Sequence, residues 1–118
     1  MKKLCGIRGA VFCENTEISI RRAVEELFSK IKTSNPFEVE DVVSVQFTVT
    51  KDITAFNPAT ALRESKILGN VPLFCALEPD FVASKPSVIR TLVTVHLANC
   101  PQHIYCNGAE ILRTDLGV

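Results

Sequence analysis

Residues 86–97 read PSVIRTLVTVHL, the most strand-like apolar run of the chain. Period-two alternation along this run separates two faces with different character. One face is apolar apart from a threonine and is expected in the core, with Ile89, Thr91, Val93, Val95 and Leu97. The opposite face begins apolar and becomes polar, with Val88, Arg90, Leu92, Thr94 and His96. The run therefore predicts a strand whose second face lines a cleft or a subunit boundary.

Arg90 is the unusual residue of this strand. A guanidinium stays protonated in a protein, so it needs an anionic partner or water wherever it lies. One interpretation is an arginine on an edge strand whose side chain reaches solvent. The other is a cation that faces an anion across a cleft or a subunit boundary. The strand by itself leaves both interpretations open.

The segments before this strand predict alternating strands and helices. Residues 4–13 form a first strand, in which Gly6 and Gly9 either allow close backbone approach or mark a bulge. A helix capped by Asn15 or Thr16 runs to about Ser34 and ends at 35–36. Residues 41–50 alternate as a second strand, and 57–69 predict a helix of about three turns that Asn57 caps and Gly69 ends.

The remaining segments complete the fold class. Residues 71–77 predict a third strand, and 104–112 predict a hairpin around Asn107-Gly108. We expect a single domain, 1–118, of the α/β (α+β) class, with a mixed sheet packed by helices on one face. The other face is expected to pack against further subunits, because 47% hydrophobic residues is high for a monomer of this size.

Charge and cysteine content exclude several classes of function. Thirteen basic and thirteen acidic side chains give a net charge of zero and no basic run forms, so we expect neither nucleic acid nor membrane as a partner. The apolar stretches are far shorter than the roughly 20 residues of a spanning helix, and 1–10 lack the apolar segment of a signal peptide. Five cysteines without a C-x-x-C pair predict no metal site, no disulfide framework and a reducing cytoplasm.

Five stretches together resemble a known enzyme family. They read GIRGA from Gly6, DVVSVQFTVTKDITAFNPATALRE from Asp41, VPLFCALEPD from Val71, VIRTLVTVH from Val88 and HIYCNGAEILRTDL from His103. Their combination and spacing, over nearly the whole chain, resemble the monofunctional chorismate mutases of the Bacillus type. The resemblance implies a homotrimeric pseudo-α/β-barrel with three sites at subunit interfaces. It also implies a cofactor-free rearrangement of chorismate to prephenate, which belongs to aromatic amino-acid biosynthesis in the shikimate pathway.

The resemblance also assigns roles to particular residues. Arg90 would bridge the ether oxygen and a carboxylate, while Glu78 and Cys75 would contact the ring hydroxyl without covalent attack. Arg8 would bind a carboxylate from the next subunit, and the remaining substrate-binding residues would be Arg63, Tyr105, Asn57, Thr60, Phe74 and Leu112. Arg113 would add a charge near the tail. Each of these side chains could instead be a surface or core residue, if it were considered alone.

Three departures from the family pattern concern substrate binding. Where the family usually reads F-P-A-K, this chain has Asn57-Pro58-Ala59-Thr60, although Phe56 lies one place away. Phe74 stands where a smaller residue is usual, and little of the mobile C-terminal tail follows Asp115. We expect these changes to weaken substrate affinity more than the stabilisation of charge.

Two other functions remain open on the sequence. One is an imine-hydrolysing trimer of similar architecture, in which a strand arginine holds a carboxylate; Glu78 and GIRGA argue against it. The other is a catalytically weak or inactive trimeric homologue that only binds carboxylates, for which Asn57, Thr60 and Phe74 are the support.

Overall fold

The computed structural model describes residues 1–116, and the last two residues of the C-terminal tail lie outside the described residues. The elements follow one another as β1 (Lys3–Phe12), α1 (Glu17–Ser34), β2 (Val42–Val49), α2 (Pro58–Ser65), β3 (Leu73–Leu77), β4 (Val88–Leu97) and β5 (Ile104–Cys106). Short 3-10 turns occupy Val39–Asp41, Ala109–Leu112 and Thr114–Leu116. Within the described part of the chain, no helix has the length and apolarity needed to cross a membrane.

The five strands form one mixed sheet in the order β3-β2-β4-β1-β5. β4 is central and runs antiparallel to both neighbours, β1 and β2. The outer pairs, β2 with β3 and β1 with β5, are parallel. The predicted mixed sheet is therefore confirmed. The interpretation of Arg90 as an edge-strand residue is wrong, because its strand has hydrogen-bonded neighbours on both sides.

Both helices pack on one face of this sheet, as the sequence predicted. The buried stripe of α1 recurs at helical spacing and consists of Ile20, Ala23, Val24, Leu27, Phe28 and Ile31. It meets the apolar face of β4 and neighbouring side chains such as Phe47, whose ring centroid lies 5.6 Å from that of Phe28. Each fully buried Leu, Ile or Phe contributes about 1.5–3 kcal/mol relative to an exposed one, so this face holds the main core.

Gly9 lets the β1 backbone approach its neighbours closely. A Cβ there would lie 2.9 Å from Cγ2 of Thr91 and 3.2 Å from Cδ1 of Leu27. The β1–β4 register runs unbroken from Lys3 to Phe12, so the glycine does not mark a bulge. Of the two explanations for these glycines, close approach applies at Gly9.

The helix starts agree with the predicted caps, but one helix end does not. Thr16 caps α1 by accepting a 3.1 Å hydrogen bond from the Ser19 backbone N–H. Asn57 caps α2 through a 2.8 Å bond from the Ala59 N–H. α2 ends earlier than Gly69, because Lys66 already adopts the left-handed conformation at φ 63°.

The predicted hairpin at 104–112 is wrong. Asn107 and Gly108 do form a turn with positive φ, but a 3-10 turn follows it and not a strand. The Asn107 side chain donates a 2.7 Å hydrogen bond to the Phe12 carbonyl, and Gly108 approaches the Phe12 ring. The chain thereby folds over the sheet and buries Ala109 completely. Burial of this segment against β1 replaces the pairing of a second hairpin strand.

The face of the sheet opposite the helices is only partly covered, and we call it the open face. One corner is covered by a small apolar group, the corner cluster, which consists of Ala10, Val88, Tyr105 and Ala109 with Phe12, Leu112 and Leu116 packed against it. Elsewhere large apolar side chains are exposed on the open face, including Leu4, Phe74 and Leu92. The open face thus combines exposed apolar surface with the polar face of β4.

Candidate active site

Two adjacent rows of side chains cross the open face at its centre. The strand registers define the first row as Tyr105, Ala10, Arg90, Thr48 and Ala76. They define the second row as Arg8, Leu92, Gln46 and Phe74. Arg8 and Arg90 are diagonal neighbours across β1 and β4, where Cα atoms are about 7–8 Å apart. The fold of one chain therefore brings two cations together on one uncovered face.

Arg90 is paired within its own chain. Its Nε lies 2.9 Å from Oε1 of Glu78, and the same carboxylate oxygen accepts a 3.1 Å hydrogen bond from the Thr48 hydroxyl. Glu78 follows β3 directly, and its backbone N–H continues the ladder to the Val49 carbonyl. The strand alone left the anionic partner of Arg90 open, and in this structure Glu78 of the same chain is such a partner. Glu78 contacts the guanidinium through Nε, and the Arg90 side chain is 36% exposed.

Arg8 projects from β1 onto the open face with an exposed side chain. Its backbone N–H donates a 2.9 Å hydrogen bond to Nδ1 of His103, the residue immediately before β5. Burial, together with the charges of Arg8 and Arg113, lowers the pKa of His103 below its usual value. This part of the site is therefore positively charged and contains a neutral imidazole near neutral pH.

The corner cluster positions the residues predicted near the end of the chain. Tyr105 is buried opposite Ala10, and Leu112 packs beside it. Arg113 forms a two-pronged ion pair with Asp115, at 3.0 and 2.8 Å. This carboxylate is the main reason that the pKa of Arg113 is raised, and the Tyr105 hydroxyl makes a smaller contribution. The corner cluster thus forms the apolar side of the site, and its member Ala10 lies directly beside Arg90.

Cys75 lies on the other face of the sheet. It pairs in register with Phe47, whose side chain is buried in the main core, and the half-buried Cys75 side chain packs against that core. Burial raises the pKa of its thiol above the ordinary value. A thiol with a raised pKa is less often present as the reactive thiolate. The expectation that Cys75 does not attack covalently stays a prediction. Within one chain Cys75 and Arg90 are not brought together.

The remaining predicted residues lie on or near α2 and the β3 edge. Asn57 uses its side-chain oxygen to cap α2, Thr60 is half-buried and Arg63 is exposed on the helix surface. α2 packs on the covered face, so none of the three shares the open face with Arg90. Phe56 lies one place before the position where the family usually has phenylalanine. Its ring stacks against the Arg21 guanidinium, whose carbon lies 4.3 Å from the ring centroid. Phe74 does reach the open face, where it is 61% exposed.

A shallow cavity marks the centre of the open face. It has a volume of about 160 Å³ and is lined by Gln46, Phe47, Thr48, Arg90, Thr91 and Leu92. A deeper neighbour of about 210 Å³ begins at Glu78 and extends along Lys51, Asp52, Asp80 and Lys85. Within residues 1–116 no cluster of three or more His, Cys, Asp or Glu could hold a metal ion. The polar groups held together at the centre of the open face are the Arg90 guanidinium, the Glu78 carboxylate and the Thr48 hydroxyl.

Sequence reasoning missed Thr48 and His103. Thr48 occupies an alternating position of β2 whose side chain points away from the core, and this was the available signal. Only the pairing of β2 with β4 shows that it lies beside Arg90. No local sequence pattern pointed to His103, because its hydrogen bond is with Arg8, 95 residues earlier in the chain.

Fold and site together define a small α+β protein that presents an arginine–glutamate pair and a second arginine on an uncovered sheet face. Residues 4–116 match the family described as chorismate mutase type I, and the chain belongs to that family. The predicted membership, fold class and activity as a chorismate mutase, an isomerase, are confirmed by this match and by the relatives described next.

Named relatives match almost end to end. The chain is 36% identical to "Chorismate mutase AroH" of Bacillus subtilis (strain 168), over 96% of this chain and 92% of that protein. It is 38% identical to "Chorismate mutase AroH" of Thermus thermophilus, over 94% of each. Among solved structures, a chorismate mutase from Clostridium thermocellum superimposes with a TM-score of 0.84 at 32% identity, covering 91% of this chain and 98% of that one.

Proposed function

We propose that the chain rearranges chorismate to prephenate at the open face, by holding a compact substrate conformer and stabilising charge on the ether oxygen. In this intramolecular Claisen rearrangement a carbon–oxygen bond breaks while a carbon–carbon bond forms. Neither a proton transfer nor a nucleophile is needed. The product belongs to aromatic amino-acid biosynthesis. The single observation that carries the proposal is Arg90, which lies on the central strand, pairs with Glu78 through Nε and keeps a partly exposed side chain.

Arg90 is the group that would stabilise the transition state. Negative charge develops on the ether oxygen as its bond to carbon breaks, and a preorganised cation in a water-poor site lowers that energy most. Glu78 fixes the orientation of the guanidinium through Nε and leaves its other donors for the substrate. The same carboxylate can accept a hydrogen bond from the ring hydroxyl, because only one of its oxygens is engaged by Arg90 and Thr48.

Arg8 would bind a substrate carboxylate. Chorismate is a dianion, so two arginines on adjacent rows of one face match its two carboxylates in charge. Tyr105 and Leu112 would supply a hydroxyl and an apolar wall from the corner cluster. Since Arg8 and Arg90 share one face of one chain, we propose that both come from the same subunit, which replaces the expectation that Arg8 comes from the next one.

A homotrimer would complete the site. Cys75, Asn57, Thr60 and Arg63 lie away from the open face of their own chain, so they reach a substrate on Arg90 only from a neighbouring copy. The exposed apolar side chains of the open face, Leu4, Leu92 and Phe74, support burial against such a copy. We place the whole chain, 1–118, in one domain per subunit and the enzyme in the cytoplasm, where its five free thiols would stay reduced.

The direct test is to mix purified protein with chorismate and follow the loss of its absorbance, with prephenate identified by mass spectrometry or NMR. We expect turnover that follows saturation kinetics and needs no added metal or cofactor. Binding of chorismate without conversion would instead support the inactive carboxylate-binding homologue. Hydrolysis of an imine substrate, with chorismate unchanged, would support the imine-hydrolysing alternative.

A further inference from the structure

The parallel pairing of β1 with β5 is extended by a side chain. Backbone pairing covers Gly9 with Ile104, Ala10 with Tyr105 and Val11 with Cys106. One residue before this pairing, at Arg8, the acceptor is a side chain and not the backbone of β5. The Arg8 N–H donates to Nδ1 of His103 at 2.9 Å. The imidazole therefore takes the place of a backbone carbonyl as the acceptor for Arg8, the residue proposed to bind a substrate carboxylate.

This hydrogen bond determines the protonation state of the ring. Nδ1 can accept only if it carries no proton, so the neutral ring holds its proton on Nε2. Loss of the acceptor would leave the Arg8 N–H without its partner on the β5 side, where the ladder has no further backbone pair, while Arg8 stays paired with Leu92 of β4 on the other side. The direction in which the Arg8 side chain leaves β1 is therefore coupled to neutral His103.

The charges around the imidazole oppose its protonation. Arg8 faces it from β1 and Arg113 from the segment after the second 3-10 turn, and both act with burial to lower the pKa of His103. Asp115, the nearest carboxylate on that segment, is paired with Arg113. On α1, which packs against β5, Lys30 and Glu26 form an ion pair with each other. A protonated ring would thus sit between two cations and could no longer accept from Arg8.

We propose that His103 is a positioning residue for substrate binding: its neutral imidazole fixes the Arg8 backbone so that the guanidinium points to a substrate carboxylate. The proposal rests on the function proposed above. It goes beyond that function because it adds a residue that touches no substrate and makes substrate affinity depend on the protonation of one histidine.

Two substitutions separate positioning from bulk packing. His103→Asn keeps an acceptor near the Nδ1 position and cannot titrate in the working range, whereas His103→Leu has similar size and no acceptor. For His103→Leu we expect KM for chorismate to rise about 5- to 10-fold, the effect of one lost hydrogen bond, with kcat within about twofold. His103→Asn should keep a near wild-type KM. If the leucine variant does not fold, His103→Gln takes its place, because its amide oxygen reaches the Nε2 position and should not restore KM.

The pH dependence supplies a second readout. Chorismate carboxylates are ionised above about pH 5, so they do not titrate in the range of a histidine. We expect the wild-type KM to rise as pH falls from 7 toward 5, and the His103→Asn KM to stay flat. Nitrogen-15 spectra of the ring should show an unprotonated Nδ1 at pH 7 and a pKa below the usual value of a histidine, independent of activity.

The outcomes distinguish the proposed function from the positioning role of His103. Absence of turnover in the wild-type protein would reject the proposed function, while the ring spectra still test the tautomer. Turnover in the wild type with an unchanged KM in His103→Leu would overturn the positioning role alone. The positioning role would also be overturned if the asparagine and leucine variants showed the same rise in KM and the same losses of kcat and thermal stability. Such a result would indicate only a packing role.

Discussion

At the scale of single residues, the proposed mechanism depends on how the Arg90 charge is held. Arg90 lies on the central strand with 36% of its side chain exposed, and Glu78 provides its counter-ion at 2.9 Å. The Thr48 hydroxyl fixes the glutamate in turn. In the proposed mechanism this arrangement would orient the cation before substrate arrives, so that little reorganisation is needed when charge develops.

Arg90→Lys should lower kcat far more than it raises KM. Lysine keeps the charge but loses the planar fork that can bind Glu78 and substrate together. Removal of one preorganised donor typically costs about 10²–10³ in rate, and steady-state kinetics measure the loss. Arg22→Lys, on the exposed side of α1, is the matched control and should behave as wild type.

Citrulline at position 90 would separate charge from shape, because it keeps the donors and removes the cation. We expect a semisynthetic protein with this residue to bind chorismate and to turn over far more slowly. A kcat near that of the wild type would show that electrostatic stabilisation by Arg90 is the wrong mechanism.

Cys75→Ser should leave kcat within about tenfold of the wild type. A hydroxyl can replace the thiol in a hydrogen bond, and no covalent step uses the sulfur. Kinetics on the folded variant provide the measurement, with circular dichroism as a check on folding. A loss of several orders of magnitude would point to a nucleophilic mechanism.

At the scale of elements, short-range signals explain most starts and ends. Thr16 and Asn57 cap their helices with side-chain oxygens, as their positions before the apolar stripes indicated. Lys66 is the exception, since a lysine occupies the left-handed position that glycine usually takes. The end of α2 therefore carries a small conformational strain that local sequence did not indicate.

Lys66→Gly should stabilise the protein by about 1 kcal/mol, because glycine adopts positive φ without the steric cost of a Cβ atom. Thermal and denaturant unfolding measure the change. Lys66→Ala is the control, because alanine keeps the Cβ and should leave stability nearly unchanged. A glycine variant no more stable than the alanine variant would contradict the interpretation of strain at this cap.

At the scale of the whole molecule, the two faces of the sheet have different roles. Helices cover one face and form the main core, while the open face carries the arginines together with exposed Leu4, Phe74 and Leu92. Exposed apolar groups around a charged site indicate a surface that packs against another subunit.

Sedimentation at micromolar concentration should therefore show three chains per particle. Leu4→Lys should weaken the assembly, because it places a charge on the open face where Leu4 is 62% exposed. Ile18→Lys is matched in exposure, at 65%, but lies on α1, so the variant should remain trimeric. A stable wild-type monomer would reject the interface model of the site.

Mixed trimers should reveal which chain supplies each arginine. Refolding Arg63→Ala with Arg90→Ala should restore about a quarter of wild-type sites, if neighbouring chains supply these two residues. Refolding Arg8→Ala with Arg90→Ala should restore none, because we place both on one chain. Recovery in the second mixture, measured as chorismate turnover, would return Arg8 to the next subunit.

The sequence by itself determined the strands, the helix starts, the apolar face of β4 and the family, because these depend on alternation, caps and motifs within short segments. Only the tertiary structure decided the partner of Arg90, the hydrogen bond between Arg8 and His103, and the folding of 109–112 over the sheet. Each of these depends on contacts between segments far apart in the chain. Cys75 shows the same limit: its motif marks it as a site residue, but strand pairing places it on the core side of its own subunit. Local patterns carry no information about such pairings, since register and burial arise from the packing of the whole sheet.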